Sequence, residues 1–373
     1  MAKQVTNIEV KKNNRNRVFR YILRGDQVSN PDIAYDLKIS LPTVTQNTKE
    51  LIERGLIREV GELQSTGGRR AKALAVVPDY RFAAGIDITQ NHVAMILVNL
   101  VGETLKYERV HFPYRAKEAY FGEVSRKLEA FLEEAKVEKG RILGIGISFP
   151  GIVDLQREEI AYSHALGVRG LRFQNIERFF CYPCTFFNDA NAGAYAEGIY
   201  RGTPDRFFYL SLSNTVGGAV FDHGQLMQGD SFRCGEVGHM TIVPDGAECY
   251  CGKKGCLDAY CTAKKLSDLA EGKLEHYFEA LRNKEEDAVR LWDAYTMYLA
   301  VAVNNIHMVL DSDVVLGGYV GSYIEEFLPE IREKVSGRNT FDEDGTFVKA
   351  CSHKEGSALG AALKVLDTFV ETV

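Results

Sequence analysis

VSNPDIAYDLKISLPTVTQNTKELIERGLI, residues 28–57, holds two helix starts in close succession. Ser29 or Asn30 can cap the first, with Pro31 in its opening turn, where a missing N–H costs nothing. Ser40 can cap the second, followed by Leu41 and Pro42. Ile33, Ala34 and Leu37 form the inward face of the first helix; Val44, Leu51 and Ile52 form that of the second, which Gly55 ends. Two short helices joined by a tight turn predict a helix-turn-helix, whose second helix enters a DNA major groove by its N-terminal end. Thr43, Thr45, Gln46 and Lys49 are its outward side chains. Threonine and glutamine suit base edges, and lysine suits phosphate.

The flanks extend this reading. Val18, Ile22 and Leu23 recur at helical spacing and predict a helix over 13–24, stopped by Gly25. LIREVGELQSTGGRRAKALAVV, residues 56–77, reads as two short strands around a polar tip. That is a winged helix, with Arg69 and Arg70 placed to reach phosphate or a narrow minor groove. Residues 1–80 carry 14 Lys and Arg against 9 Asp and Glu, a net of +5; the other 293 residues carry 31 against 42, a net of −11. Charge alone also fits a solvated segment, and helices alone also fit an oligomerisation hairpin. Basic charge, helix spacing and an arginine-tipped wing together favour a head that meets a polyanion.

The remaining chain is long enough for one or two further domains. The 45% hydrophobic and 26% charged residues of the whole 373-residue chain are those of a soluble globular protein, and no apolar run is long enough to span a bilayer. The N-terminus, MAKQVTNIEVKKNNRNR, lacks the apolar core of a secretory signal, so the expected location is cytoplasmic, without membrane insertion. In a reducing compartment a cysteine cluster points to metal before disulfides. From Phe82 the pattern becomes buried strands followed by helices, with glycines and polar residues at the strand ends. That predicts an α/β protein with ligands at those ends. Strand pairs beginning near Gly85 and Tyr209, each with a polar turn, suggest an internal repeat and a cleft between two lobes.

Several motifs in order carry a family resemblance: Gly67-Gly68-Arg69-Arg70, Pro150-Gly151-Ile152-Val153-Asp154, Asn188-Asp189-Ala190-Asn191, Glu236-Val237-Gly238-His239, the C-x-C-G-x-x-G-C run and Leu316-Gly317-Gly318. Over nearly its whole length the chain resembles the ROK family of bacterial sugar repressors and sugar kinases. The resemblance implies a two-lobed α/β domain like actin and hexokinase behind the winged helix-turn-helix, in a homodimer or homotetramer. The expected division is 1–80 for the DNA-binding head and 81–195 for a first lobe, completed by the C-terminal helix 356–373. Residues 196–355 form a second lobe with the metal loop and dimerisation helices.

His239, Cys249, Cys251 and Cys256 offer one nitrogen and three sulfurs, the donor set of a closed tetrahedral zinc site, and match the family's zinc motif. Nothing nearby suggests an open coordination position, so the metal is expected to be structural. Cys181, Cys184, Cys234, Cys261 and Cys351 read as packing residues. The resemblance places Asn188, Asp189, Glu236, His239 and Asp258 around a sugar or sugar phosphate; Asp258 stands where glutamate is usual. In the kinases the counterpart of Asp189 is the general base. The phosphate glycines of those kinases are degraded here: Asp87-Ile88-Thr89-Gln90-Asn91, Ser213-Asn214-Thr215-Val216-Gly217-Gly218 and Gly317-Gly318-Tyr319. The expected protein is therefore not an enzyme, with Asp189 a vestigial base. It is a repressor released from double-stranded operator DNA by a sugar. A sugar kinase carrying a regulatory head and a body docking on a sugar-transport protein are the alternatives.

Overall fold

The computed structural model describes residues 7–63, 71–200 and 206–373. The head holds α1 (Asn7–Arg24), α2 (Asn30–Leu37), α3 (Leu41–Glu53) and the antiparallel pair β1 (Ile57–Glu62) and β2 (Lys72–Val76). α1 begins earlier than the predicted 13–24, since residues 7–12 contain neither glycine nor proline to stop it. Ser29 caps α2 reciprocally: it accepts from the Asp32 N–H, while the Asp32 carboxylate accepts from the Ser29 N–H at 3.0 Å. Ser29→Ala orphans these groups and is expected to lower head stability by about 1 kcal/mol, read by thermal melting. Ser40 caps α3 by accepting from the Thr43 N–H.

Val18, Phe19, Ile22, Ile33, Val44 and Leu51 are buried at the centre of the head. Ile52 corrects the predicted inward face: it is 38% exposed, and Thr48 is buried instead. At about 100° per residue, positions 44, 48 and 51 share a face, and 52 lies roughly 80° from 44. The wing tip, with Arg69 and Arg70, lies outside the described residues.

The next sheet begins as a meander of β3 (Phe82–Ile88), β4 (His92–Asn99) and β5 (Thr104–His111). α4 (Glu118–Glu134) crosses to β6 (Ile142–Phe149), parallel to β3. A small antiparallel sheet of β7 (Ile152–Asp154), β8 (Glu159–Ser163) and β9 (Val168–Arg172) follows, then α5 (Gln174–Glu177). β10 (Cys184–Asn188) closes the sheet beside β6 and runs into α6 (Asp189–Tyr200). β10 is an edge strand with only Phe186 fully buried, not the buried strand the sequence predicts. Cys181 is accordingly exposed and Cys184 half-buried, which removes the packing role expected of Cys181, whereas Cys261 is buried.

The second sheet repeats the first. β11 (Arg206–Leu212), β12 (Val216–Asp222) and β13 (Gln225–Met227) form its meander. The metal loop and the helices α7 (Asp258–Cys261), α8 (Ala263–Ser267), α9 (Leu274–Arg282) and α10 (Glu286–Leu310) precede β14 (Asp313–Gly317), parallel to β11. α11 (Gly318–Gly321) and α12 (Leu328–Ser336) lead to β15 (Val348–Ala350), parallel to β14. Strand orders β10-β6-β3-β4-β5 and β15-β14-β11-β12-β13 match pair for pair in sense, which is the internal repeat suggested by the two strand pairs.

α13 (Gly356–Thr372) packs on α6, β3 and β6 and then enters the head. Its Val370, with Val373, is buried in one continuous core with Phe19 and Leu51. No helix among the described residues is long and apolar enough to cross a membrane.

Candidate functional site

In the head, Thr45, Gln46 and Lys49 are exposed on α3, while Thr43 is half-buried. Their side chains are held locally. Thr45 donates to the Leu41 carbonyl at 2.9 Å, Gln46 donates to Glu50 at 3.4 Å, and Lys49 lies 3.8 Å from Glu53. All are exposed contacts that a nucleic acid can replace at small cost. Tyr35, 84% exposed on α2, and the exposed Leu41 at the start of α3 also face outward, and the sequence reading missed both.

The head is tied to α13 by polar contacts the sequence did not reveal, since they join residues more than three hundred positions apart. Arg20 pairs with Asp367 at 2.8 Å. Arg15 and Arg54 both donate to the Val373 carbonyl oxygen, at 2.5 and 3.2 Å. Arg54 is the C-cap of α3, so the base of the candidate recognition helix rests on α13.

The metal-type cluster forms as the spacing predicts. The ligand atoms of His239, Cys249, Cys251 and Cys256 all lie within 4.8 Å of one another. His239 Nδ1 lies 3.9 Å from Cys249 Sγ, and the Cys251 and Cys256 sulfurs are 3.7 Å apart. Cys249 and Cys256 are buried; His239 and Cys251 are exposed. Gly255 makes the loop possible: its φ is +78°, and a Cβ there would sit 1.8 Å from the Val243 carbonyl oxygen. Three sulfurs and one nitrogen within this distance fit a single tetrahedral ion.

Beside the cluster, side chains converge on the ends of both sheets. Asn188 donates to the Gly151 carbonyl at 2.9 Å and accepts from the Asn191 N–H, capping α6. Asp189 begins α6 and accepts from the Ala190 N–H at 2.9 Å. Burial pushes its carboxyl up to about 7, with the neighbouring Asp87 and Glu236 adding to the effect. Asp87, hydrogen-bonded to Ser148, is pushed up to about 6, again mainly by burial. Burial also raises Glu236. Asp258 is buried, with one oxygen held by the Val216 N–H at 2.9 Å. Its Asp-for-Glu change thus coincides with a carboxylate engaged by backbone.

Asp87 and Tyr250 were missed as members of this group. Tyr250 stacks on His164 at 4.2 Å and meets the His239 ring edge-on, linking the small β7–β9 sheet to the metal loop. Asp87 was legible as a carboxylate at a strand end; the Tyr250 contact depends on tertiary structure. Asp189, Glu236, Asp258 and His239 offer carboxylates and an imidazole from different elements, donors and acceptors of the kind polyols require, whereas the Asn188 amide, engaged by Gly151 and Asn191, lines a separate cavity of about 220 Å³ with Thr185, Tyr195 and Gln228.

The side of the cleft beyond Asp189 is lined by Thr89, Gln90, Ser213, Asn214, Thr215 and Tyr319, among others. The free space there is about 40 Å³. Asp87 and Asp189 line the same space, which is open to solvent.

Residues 83–368 match the model of the ROK family. The chain belongs to the ROK family. The ROK chain is 25% identical to the xylose repressor of Bacillus spizizenii, over 98% of this chain and 97% of that one. A ROK family transcriptional regulator described as a homologue of the Escherichia coli MLC protein superposes with a TM-score of 0.76 at 21% identity, covering 97% of each chain. A ROK glucokinase from Streptomyces griseus, solved with glucose and AMPPNP, gives 0.65 at 23% identity, over 76% of this chain and 98% of that one. The fold is thus common to ROK regulators and kinases, and the match to the regulator includes the head.

Proposed function

We propose that this ROK protein is a sugar-responsive transcriptional repressor. Two heads of a homodimer bind successive major grooves of operator DNA through Thr43, Thr45, Gln46 and Lys49, with Arg69 and Arg70 on the wing. A sugar bound by Asp189, Glu236 and His239 releases it. One helix carries the reading: Ser357 of α13 donates to the Asp189 carbonyl at 3.0 Å at the cleft, and the other end of α13 is held by Arg20 and Arg54 of the head. A shift at Asp189 therefore moves the support of α3 without any flexible linker between. The sugar acts only through its preference for one of the two states.

Zinc at His239, Cys249, Cys251 and Cys256 supports this wall. With Nδ1 turned to the sulfurs, Nε2 of His239 is left to donate toward the cleft. The kinase reading has one observation in its favour, the Asp189 carboxyl titrating near neutrality as a base should. The lost phosphate glycines at 87–91, 213–218 and 317–319 weigh against it.

Fluorescence anisotropy with DNA from upstream of the gene, at fixed salt, tests the reading. Xylose is the first sugar to try, from the relative's name, followed by other pentoses, hexoses and their phosphates. Nanomolar, salt-sensitive binding that one sugar weakens about tenfold or more is expected. Specific binding that no sugar relieves sinks the effector half of the proposal. Gln46→Ala is expected to weaken specific binding about tenfold while leaving non-specific binding unchanged. An equal loss on both would mean Gln46 does not read bases.

A further inference from the structure

We propose that Tyr319, held under Arg109, bridges the two sheets across the cleft in the place a nucleotide would take. The backbone of Tyr319 belongs to the second sheet. It follows β14 directly, and its N–H donates to Ser213 Oγ at 3.4 Å. Gly318 sets the direction of exit: its φ is +74°, and a Cβ there would lie 2.6 Å from Ser213 Oγ and 2.7 Å from the Leu212 nitrogen. Its N–H donates to the Tyr209 hydroxyl at 3.1 Å. The backbone of the turn is thus pinned to Tyr209 of β11 and to Ser213 just after it, while the ring reaches the other sheet.

The ring's partners belong to the first sheet. The Arg109 guanidinium on β5 lies over it, 4.6 Å from the centroid. Asp87 and Thr89, at the end of β3, face it, as does Glu355 in the segment entering α13. Glu355 and Asp87 also flank the guanidinium, and Tyr107 faces Glu355 from the same strand. One aromatic ring therefore meets a cation that two carboxylates orient, and ring and cation come from different sheets. The cleft beside them is lined by Tyr319 and Glu355 together with Asp87 and Asp189. A bridge built from the chain's own side chains sets how readily the lobes part, with no cofactor required.

This inference does not depend on the repressor reading, and its test is separate from any DNA or sugar assay. Hydrogen exchange of the amides of residues 87–92 and 213–218 is followed in the sugar-free full chain. Arg109→Ala and Tyr319→Ala are each expected to accelerate exchange about two- to fivefold on both sides of the cleft. The double substitution is expected to go no further than the faster single, because both remove one shared contact. Tyr319→Phe keeps the ring face and is expected to keep most of the protection. Arg109 is exposed, so its truncation leaves the fold intact even if Tyr319→Ala disturbs α11. Unchanged exchange in Arg109→Ala, or additive effects in the double variant, overturns the bridge.

Discussion

Cys256→Ser should melt the 239–256 loop and lower the melting temperature by about 10 °C or more. The apolar cluster under this loop consists of Cys249, Cys256 and Ala259, with Tyr260 against it. Met240 and Ile242 anchor the loop's start on the core of the second sheet, and bonds such as Cys249 N–H to Lys253 at 2.8 Å and Gly255 N–H to Ala247 at 2.8 Å shape its turns, but between 243 and 254 only Cys249 is buried. So little burial leaves much of the loop's order to a metal. The binding energy of a metal is then the loop's folding energy. Metal analysis should find one zinc per wild-type chain and none in the variant. A strong chelator should bring the wild type down to the variant's melting temperature and leave the variant unmoved. Wild-type protein that carries no zinc as purified, and whose melting temperature neither chelator nor added zinc moves, would reduce the cluster to three packed thiols and a histidine. Because His239 belongs to the candidate ligand set as well as to the proposed sugar contacts, the variant should also lose release from DNA by sugar while keeping its operator affinity.

The helix starts, the metal cluster and the two-sheet repeat were legible because each rests on local chemistry. A serine cap, a proline in the first turn and a cysteine pair with an intervening glycine state their geometry within a few residues. The repeat was visible as two strand pairs with polar turns, and the sheets bear it out strand by strand. What stayed hidden is nonlocal. Nothing near Arg20 announces Asp367, and nothing near Arg109 announces Tyr319. The sequence marked Tyr319 as a departure from a glycine motif, but only the fold shows what its ring does instead. Ile52 failed for a different reason: its hydrophobicity was read without its angle. Cys184 and its neighbours failed because an apolar strand at a sheet edge spells the same letters as one at the centre.

Asp189→Asn should stabilise the protein at pH 8 and leave it unchanged near pH 4. Burial, helped by Asp87 and Glu236, holds the Asp189 carboxyl up at about 7, against an ordinary value near 4 in the unfolded chain. Below the unfolded value both states carry the proton, and the group costs nothing. As pH rises toward 7 the unfolded chain gives up its proton while the native chain keeps it, so native stability falls through that window. Above it the loss is constant. Asparagine keeps an oxygen for the Ala190 N–H and cannot ionise. The gain at pH 8 should be on the order of 2–4 kcal/mol, or roughly 3–5 °C in melting temperature, vanishing by pH 4. Melting curves of both proteins from pH 4 to pH 8 decide it. A difference that stays flat with pH, or a variant less stable at pH 8, would mean the native carboxylate is ionised and compensated. The same substitution should weaken the response to sugar, because an amide donates and accepts as the protonated carboxyl does but cannot become the ionised acceptor that a sugar hydroxyl bonds more strongly. A gain in stability joined to a loss of response would identify Asp189 as a group kept at a stability cost for what it binds.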